Sequence, residues 1–153
     1  MKKLAGYIPV SLLLALLCTP GLADELLMTR VDRPFPETMN MLQDSIRAHG
    51  YTISRVQRVD VGLTSSGFST AEYRLVFFGK PAEIRSLPQK HPEIAAYLPL
   101  NIVIFAEGDD TIMLTANPLS LEAFFKDAGL HGQFGRWEKD LRAILDQVTA
   151  RSK

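Results

Sequence analysis

Residues 98–118 (Leu-Pro-Leu-Asn-Ile-Val-Ile-Phe-Ala-Glu-Gly-Asp-Asp-Thr-Ile-Met-Leu-Thr-Ala-Asn-Pro) limit what this chain can fold into more than any other stretch. Ile102 to Ala106 is an unbroken apolar run. Its β-branched and aromatic residues suit a strand covered on both faces. Glu107-Gly108-Asp109-Asp110 is turn chemistry, because glycine takes positive φ freely and aspartate bonds its own backbone. Thr111 to Ala116 reads as the returning strand. Pro99 and Pro118 bracket the pair, since a residue without an N–H rarely sits inside a central strand.

The remaining elements are set around this hairpin. Leu26 to Val31 reads as a first strand, followed by a break at Asp32-Arg33-Pro34-Phe35-Pro36. A helix is expected from about Pro36 to His49, with Pro36 at the first helical position and Glu37 at the positive dipole end. Phe35, Met39, Leu42 and Ile46 mark its buried stripe. Gly50 stands where a left-handed C-cap belongs. Tyr51 to Val59 reads as a second strand, with a phase change between Ile53 and Val56 that suggests a bulge. Gly62 to Ala71 is small and polar and reads as a mobile loop. Glu72 to Phe78 is a third strand, with Tyr73, Leu75 and Phe77 on one face and Arg74, Val76 and Phe78 on the other. A second helix begins at Gly79-Lys80-Pro81, and Pro88 and Pro92 are expected to interrupt it. Beyond the hairpin, Ser120 is the expected cap of a third helix, with Leu119 and Phe124 as its hydrophobic staple. That helix is expected to end at Gly129. Gly132 and Gly135 flank an expected flexible joint, and a last helix carries Trp137, Leu141, Ile144 and Val148. The order β-α-β-β-α-β-β-α implies an α+β fold. The expected form is a two-layer sandwich, a mainly antiparallel sheet with helices on one face.

The first 23 residues have their own logic. Lys2 and Lys3 precede the apolar run Ile8 to Cys18, and small residues stand at Gly21 and Ala23. That is the layout of a secretory signal peptide cut after Ala23. A membrane anchor is the competing reading, but a span needs about 20 apolar residues. Lipidation at Cys18 is disfavoured by the bulk of Leu17 before it. The expected organisation is a signal peptide over 1–23 and a single domain over 24–153, with a helical extension from about 119. Cleavage removes two of the 17 basic residues and none of the 17 acidic ones, so the mature charge is −2. It also removes the only cysteine, which leaves no disulfide, thiol nucleophile or thiolate ligand. The charge gives no nucleic-acid footprint, and localisation is expected to be periplasmic or secreted, without stable membrane insertion after cleavage.

The stretch Thr29-Arg30-Val31-Asp32-Arg33-Pro34-Phe35-Pro36-Glu37-Thr38 resembles the opening of the bacterial domain-of-unknown-function family 302. Gly50-Tyr51, Pro92-Glu93-Ile94, Leu98-Pro99 and Asn117-Pro118 follow in the order that the family shows. The likeness covers about residues 26–118. It implies a compact α+β domain that pairs as a homodimer, in a family where some members carry secretion signals and no general activity is established. Many members have cysteine after the Leu-Pro pair. Leu100 stands there in this chain, which argues against a thiol-based or metal role. Pro88 falls in a helix that is continuous in other members.

The chemistry-bearing residues are scattered. His49, His91 and His131 lack ligand spacing, so no metal or cofactor is expected. Asp109 and Asp110 lie in a tight turn, where carboxylates usually face water rather than a catalytic cleft. Ser65-Ser66 has no elbow motif, and Gly62 to Gly67 lacks the phosphate-loop pattern. Arg30, Arg33, Arg55, Arg58 and Arg74 suggest either an anion-binding face or a solvated sheet margin. Trp137, Phe124, Phe125 and Phe134 suggest core, a dimer contact or an apolar pocket. Arg74 stands out because its strand neighbours are apolar on both sides. It must reach water, meet a carboxylate or hold an anion. Arg74, Asp60 and Asn117 are the candidate ligand-binding residues, and no catalytic residue is assigned. The expected function is an exported homodimeric binding or accessory module with a small anionic or apolar ligand. The alternative is a small enzyme that needs neither metal nor thiol.

Overall fold

The computed structural model describes residues 25–152. The signal-peptide reading of residues 1–23 lies outside them. Five strands, β1 (Leu26–Val31), β2 (Thr52–Arg58), β3 (Tyr73–Gly79), β4 (Leu100–Glu107) and β5 (Asp110–Ala116), form one antiparallel sheet in the order β1-β5-β4-β3-β2. Helices α1 (Phe35–Ala48) and α4 (Ala128–Arg151) pack on each other and on one face of the sheet. This is the expected α+β sandwich, with the core between its two layers.

Local chemistry explains the best-defined elements. In the β4–β5 turn Glu107 pairs with Asp110, so Gly108-Asp109 is a two-residue loop, and Gly108 has φ +64°. A first central glycine at positive φ gives the twist that a tight hairpin needs. Along α1, Phe35, Leu42 and Ile46 are buried, with Thr38 and Ser45 beside them. Gly50 ends the helix at φ +78°. The β2–β3 register shifts between Ile53 and Arg55, where the phase change in the sequence predicts a bulge.

Three expectations are corrected. The stretch 62–71 is not all loop, because α2 (Val59–Ser65) takes residues 62–65. Asp60 in its first turn favours the helix dipole and also finds a cationic partner on β3. Pro88 does not interrupt α3 (Pro81–Lys90). A proline near a helix end forfeits one ladder bond, and His91 N still donates to Leu87 O to close the last turn. The break falls at His91, ahead of Pro92, where a 3-10 turn (Pro92–Tyr97) begins.

The third correction concerns residues 118–135. Asn117, not Ser120, caps a short 3-10 turn (Pro118–Ala123), its side chain accepting from Leu119 N. Phe124 is 77% exposed and staples nothing. Asp127 then caps α4 by accepting from Gly129 N and Leu130 N. Gly129, Gly132 and Gly135 therefore lie inside one continuous helix. Each interior glycine costs about 1 kcal/mol relative to alanine. Burial of Leu130, Phe134, Trp137, Leu141 and Ile144 along a single stripe outweighs that cost.

The two sheet faces differ sharply. Leu27, Val31, Val76, Phe78, Ile102, Ile104 and Met113 point to the helices and are buried. Residues of the opposite parity are Met28, Tyr73, Leu75, Phe77, Val103, Phe105 and Leu114, and among the described residues no helix layer covers them. Met28 is 69% exposed. The apolar run in β4 thus has one covered face, not the two that its composition implies.

Candidate functional site

A largely apolar cavity of about 450 Å³ opens at the end of the sheet where β4 begins and β5 ends. Its wall combines distant segments. Leu98, Pro99 and Leu100 come from the lead into β4, Phe77 from β3, and Trp137 and Leu141 from α4. The lining residues include no Asp, Glu, Lys, Arg or His. Its polar groups are largely engaged within the chain. Thr115 Oγ1 donates to Asn101 O at 2.7 Å, Leu119 N donates to Asn117 Oδ1 at 3.0 Å, and Ser120 Oγ donates to Asn117 O at 2.7 Å. A site of this size and polarity suits a small uncharged molecule, for which desolvation of apolar area is the main driving force.

Behind the cavity stands a polar brace. Trp137 Nε1 donates to Glu83 Oε2 at 2.9 Å, which fixes the indole that forms part of the wall. One turn away, Tyr51 Oη and Lys80 Nζ both donate to Asp140 Oδ2, at 2.7 and 2.9 Å. Lys80 also sits over the Tyr51 ring, 4.5 Å from its centre. Burial, reinforced by the Asp140 carboxylate, drives the Tyr51 hydroxyl pKa strongly upward. Tyr51 therefore stays protonated and serves as a donor that ties the start of β2 to α4.

Two of the three expected ligand residues meet each other. Arg74 faces the helices, and its guanidinium forms an ion pair with Asp60 of α2. It also donates to Tyr73 O at 3.1 Å and lies 5.4 Å from the centre of the Phe35 ring. Of the three outcomes open to a cation in this strand, meeting a carboxylate is the one observed. Asn117 is elsewhere, buried at the cavity wall and acting as a turn cap. Arg58 is the cross-strand partner of Arg74 on β2, and its charge also lowers the Asp60 pKa; the arginines nearer the start of the chain lie elsewhere. Arg30 pairs with Glu107 and Asp110, and Arg33 with Glu37. His49, His91 and His131 also lie apart, with Nδ1 of His49 2.9 Å from Ser45 O, His91 near Glu93 and His131 against Phe125 O.

The cavity residues carry no sequence signal as a set, because their positions run from Phe77 to Leu141. Of the aromatics Trp137, Phe124, Phe125 and Phe134, which the sequence offers as a possible apolar pocket, only Trp137 lines the cavity. Leu100, at the position where many members of the resembled family have cysteine, is part of the wall.

Three carboxylates have pKa values held below the ordinary aspartate range. Burial opposes charge on Asp60, but the hydrogen bond and charge of Arg74 outweigh it and hold that pKa below the usual value. Burial likewise opposes charge on Asp140, and the Tyr51 and Lys80 hydrogen bonds overcome it. The N–H groups of Gly129 and Leu130 lower the Asp127 pKa. A depressed folded-state pKa contributes stability that is present above the unfolded value of about 3.9 and lost as pH falls through the folded value. The melting temperature should therefore drop steeply below about pH 4. Asp140→Asn should flatten that acid limb. Melting curves between pH 7 and pH 2 measure both, and an identical acid limb in the variant would refute the assignment to Asp140.

The family described as Domain of unknown function DUF302 matches residues 27–148. Among solved structures, the crystal structure of an uncharacterized conserved protein DUF302 from Bacillus stearothermophilus is similar, with a TM-score of 0.75 and 21% identity. The alignment covers 82% of this chain and 99% of that one. At such identity the likeness establishes the fold. No curated protein matches.

Proposed function

The chain belongs to the DUF302 family, and from that premise we propose that it is an exported, homodimeric binding module of the periplasm that holds a small neutral apolar ligand. The observation that carries the ligand class is the cavity of about 450 Å³ with no charged residue in its lining. An anionic ligand is not supported there, because nothing in the wall offsets the cost of desolvating its charge. Arg74 has its own carboxylate partner in Asp60.

The uncovered sheet face supports the homodimer. Tyr73, Leu75, Phe77, Val103, Phe105, Leu114 and Met28 form a contiguous apolar surface across four adjacent strands. Monomeric proteins rarely leave such a surface open to water. A two-fold pairing of this face with itself is self-complementary by construction, so one patch serves both subunits. Export is supported by Lys2-Lys3, the Leu-rich run and the small residues before Asp24.

One experiment tests all three parts. Native mass spectrometry of the protein purified from its own cell envelope should give a dimer whose subunits begin at Asp24. It should also carry a small neutral adduct that unfolding releases. A monomer without adduct, or uncut subunits, would refute the corresponding part of the proposal.

A further inference from the structure

The apolar cavity has a neighbour. A second hollow of about 340 Å³ opens between the 3-10 turn Pro92–Tyr97 and the start of α4. Phe125 and Leu130 give it a buried apolar floor, and exposed Phe124 together with Glu93, Lys126 and Asp127 adds to its lining. Ala96 and Tyr97 line both hollows. Tyr97 is 43% exposed, and its ring meets Phe125 edge-on with centres 5.8 Å apart. The aromatic series continues from Phe125 to Phe134 at 5.5 Å and from Phe134 to Trp137 at 5.9 Å, which returns to the wall of the inner cavity. One tyrosine ring therefore stands between an uncharged inner chamber and an apolar outer groove with charges at its edge.

We propose that Tyr97 is the specificity-determining residue of the site. It sets the length of a single-chain neutral aliphatic ligand by closing the inner chamber off from the outer groove. This rests on the apolar-ligand reading above and adds which ligands fit. A hollow that ends against one ring limits a straight chain by its length. The absence of charge around the inner chamber suits a hydrocarbon chain, and the outer groove beyond Tyr97 is apolar enough to take further methylenes once the ring is removed. A partition made of one half-exposed ring is also easily altered without disturbing the core.

Trp137 is the only tryptophan of the chain and is 1% exposed at the cavity wall, so its fluorescence reports occupancy. The experiment is a titration of the whole purified protein with linear primary alcohols from hexanol to dodecanol. In wild type, each added methylene should tighten binding about fourfold until the chain meets Tyr97, and then add nothing. In Tyr97→Ala the gain should continue through the longer homologues. Tyr97→Phe keeps the ring and should keep the wild-type cut-off. Ala96→Leu thickens the same wall and should move the cut-off to shorter chains. If wild type binds alcohols but every variant shares one cut-off, the role of Tyr97 is overturned and the apolar-ligand reading survives. If no alcohol changes the Trp137 emission or stabilises wild type against heat, both are overturned.

Discussion

Ile104→Ala should destabilise the folded chain by about 2–5 kcal/mol, the range for truncating a fully buried large aliphatic side chain. Ile104 is 0% exposed and lies in the central strand β4. Its register partners are Arg74 on β3 and Met113 on β5. The hydrogen-bonded sheet is rigid at this point, and the helices above are held by Phe134, Trp137, Leu42 and Ile46. Little can collapse into the space left, so the cost includes a cavity as well as the lost transfer free energy. Val103, one residue earlier, points to the opposite face and is only half-buried. Val103→Ala should cost far less in a monomer. Denaturant titration of the two variants measures the difference. A shift near zero for Ile104→Ala, with an unchanged slope, would mean that β4 does not face the core as described.

The second large effect is on assembly. Leu114 lies on the open face, opposite Met28 on β1 and Val103 on β4. If that face pairs with itself, Leu114→Asp places an uncompensated carboxylate from each subunit inside the interface. An unpaired buried charge costs several kcal/mol, so the dimer should weaken by about 100-fold or more. The fold of the single chain should persist, because the new carboxylate can reach water there. Arg47, exposed on α1, serves as the control, and Arg47→Glu should leave the dimer intact. Sedimentation at micromolar concentration distinguishes the species. A monomeric wild type, or a Leu114→Asp protein that remains dimeric, would assign the open face to some other occupant.

The two variants differ because adjacent strand residues point to opposite faces, and the sequence shows that alternation without showing what covers each face. In β4 the run Ile102 to Ala106 is apolar at every position. Composition therefore implies two covered faces, whereas the described residues cover one. The residual apolar face is a property of the fold that no local pattern states.

The sequence by itself determined the elements whose causes are local. Gly108 sits in a two-residue turn that demands positive φ, and the flanking strands follow from their runs of β-branched and apolar residues. The α1 stripe and its Gly50 terminus follow from a 3.6-residue period and a left-handed cap. The bulge near Ile53 appears as a break in the alternation along β2. Tertiary structure decided what depends on distant partners. Asp60 pairs with Arg74 only because α2 folds back against β3, and Gly129 to Gly135 are helical only because Leu130, Phe134 and Trp137 bury together. The cavity exists because Leu98–Leu100, Asn117 and Trp137–Leu141 converge at one end of the sheet. Local propensities amount to tenths of a kcal/mol per residue, whereas burying one aromatic or aliphatic side chain contributes about 1.5–3 kcal/mol. Where the two conflict, long-range packing sets the outcome.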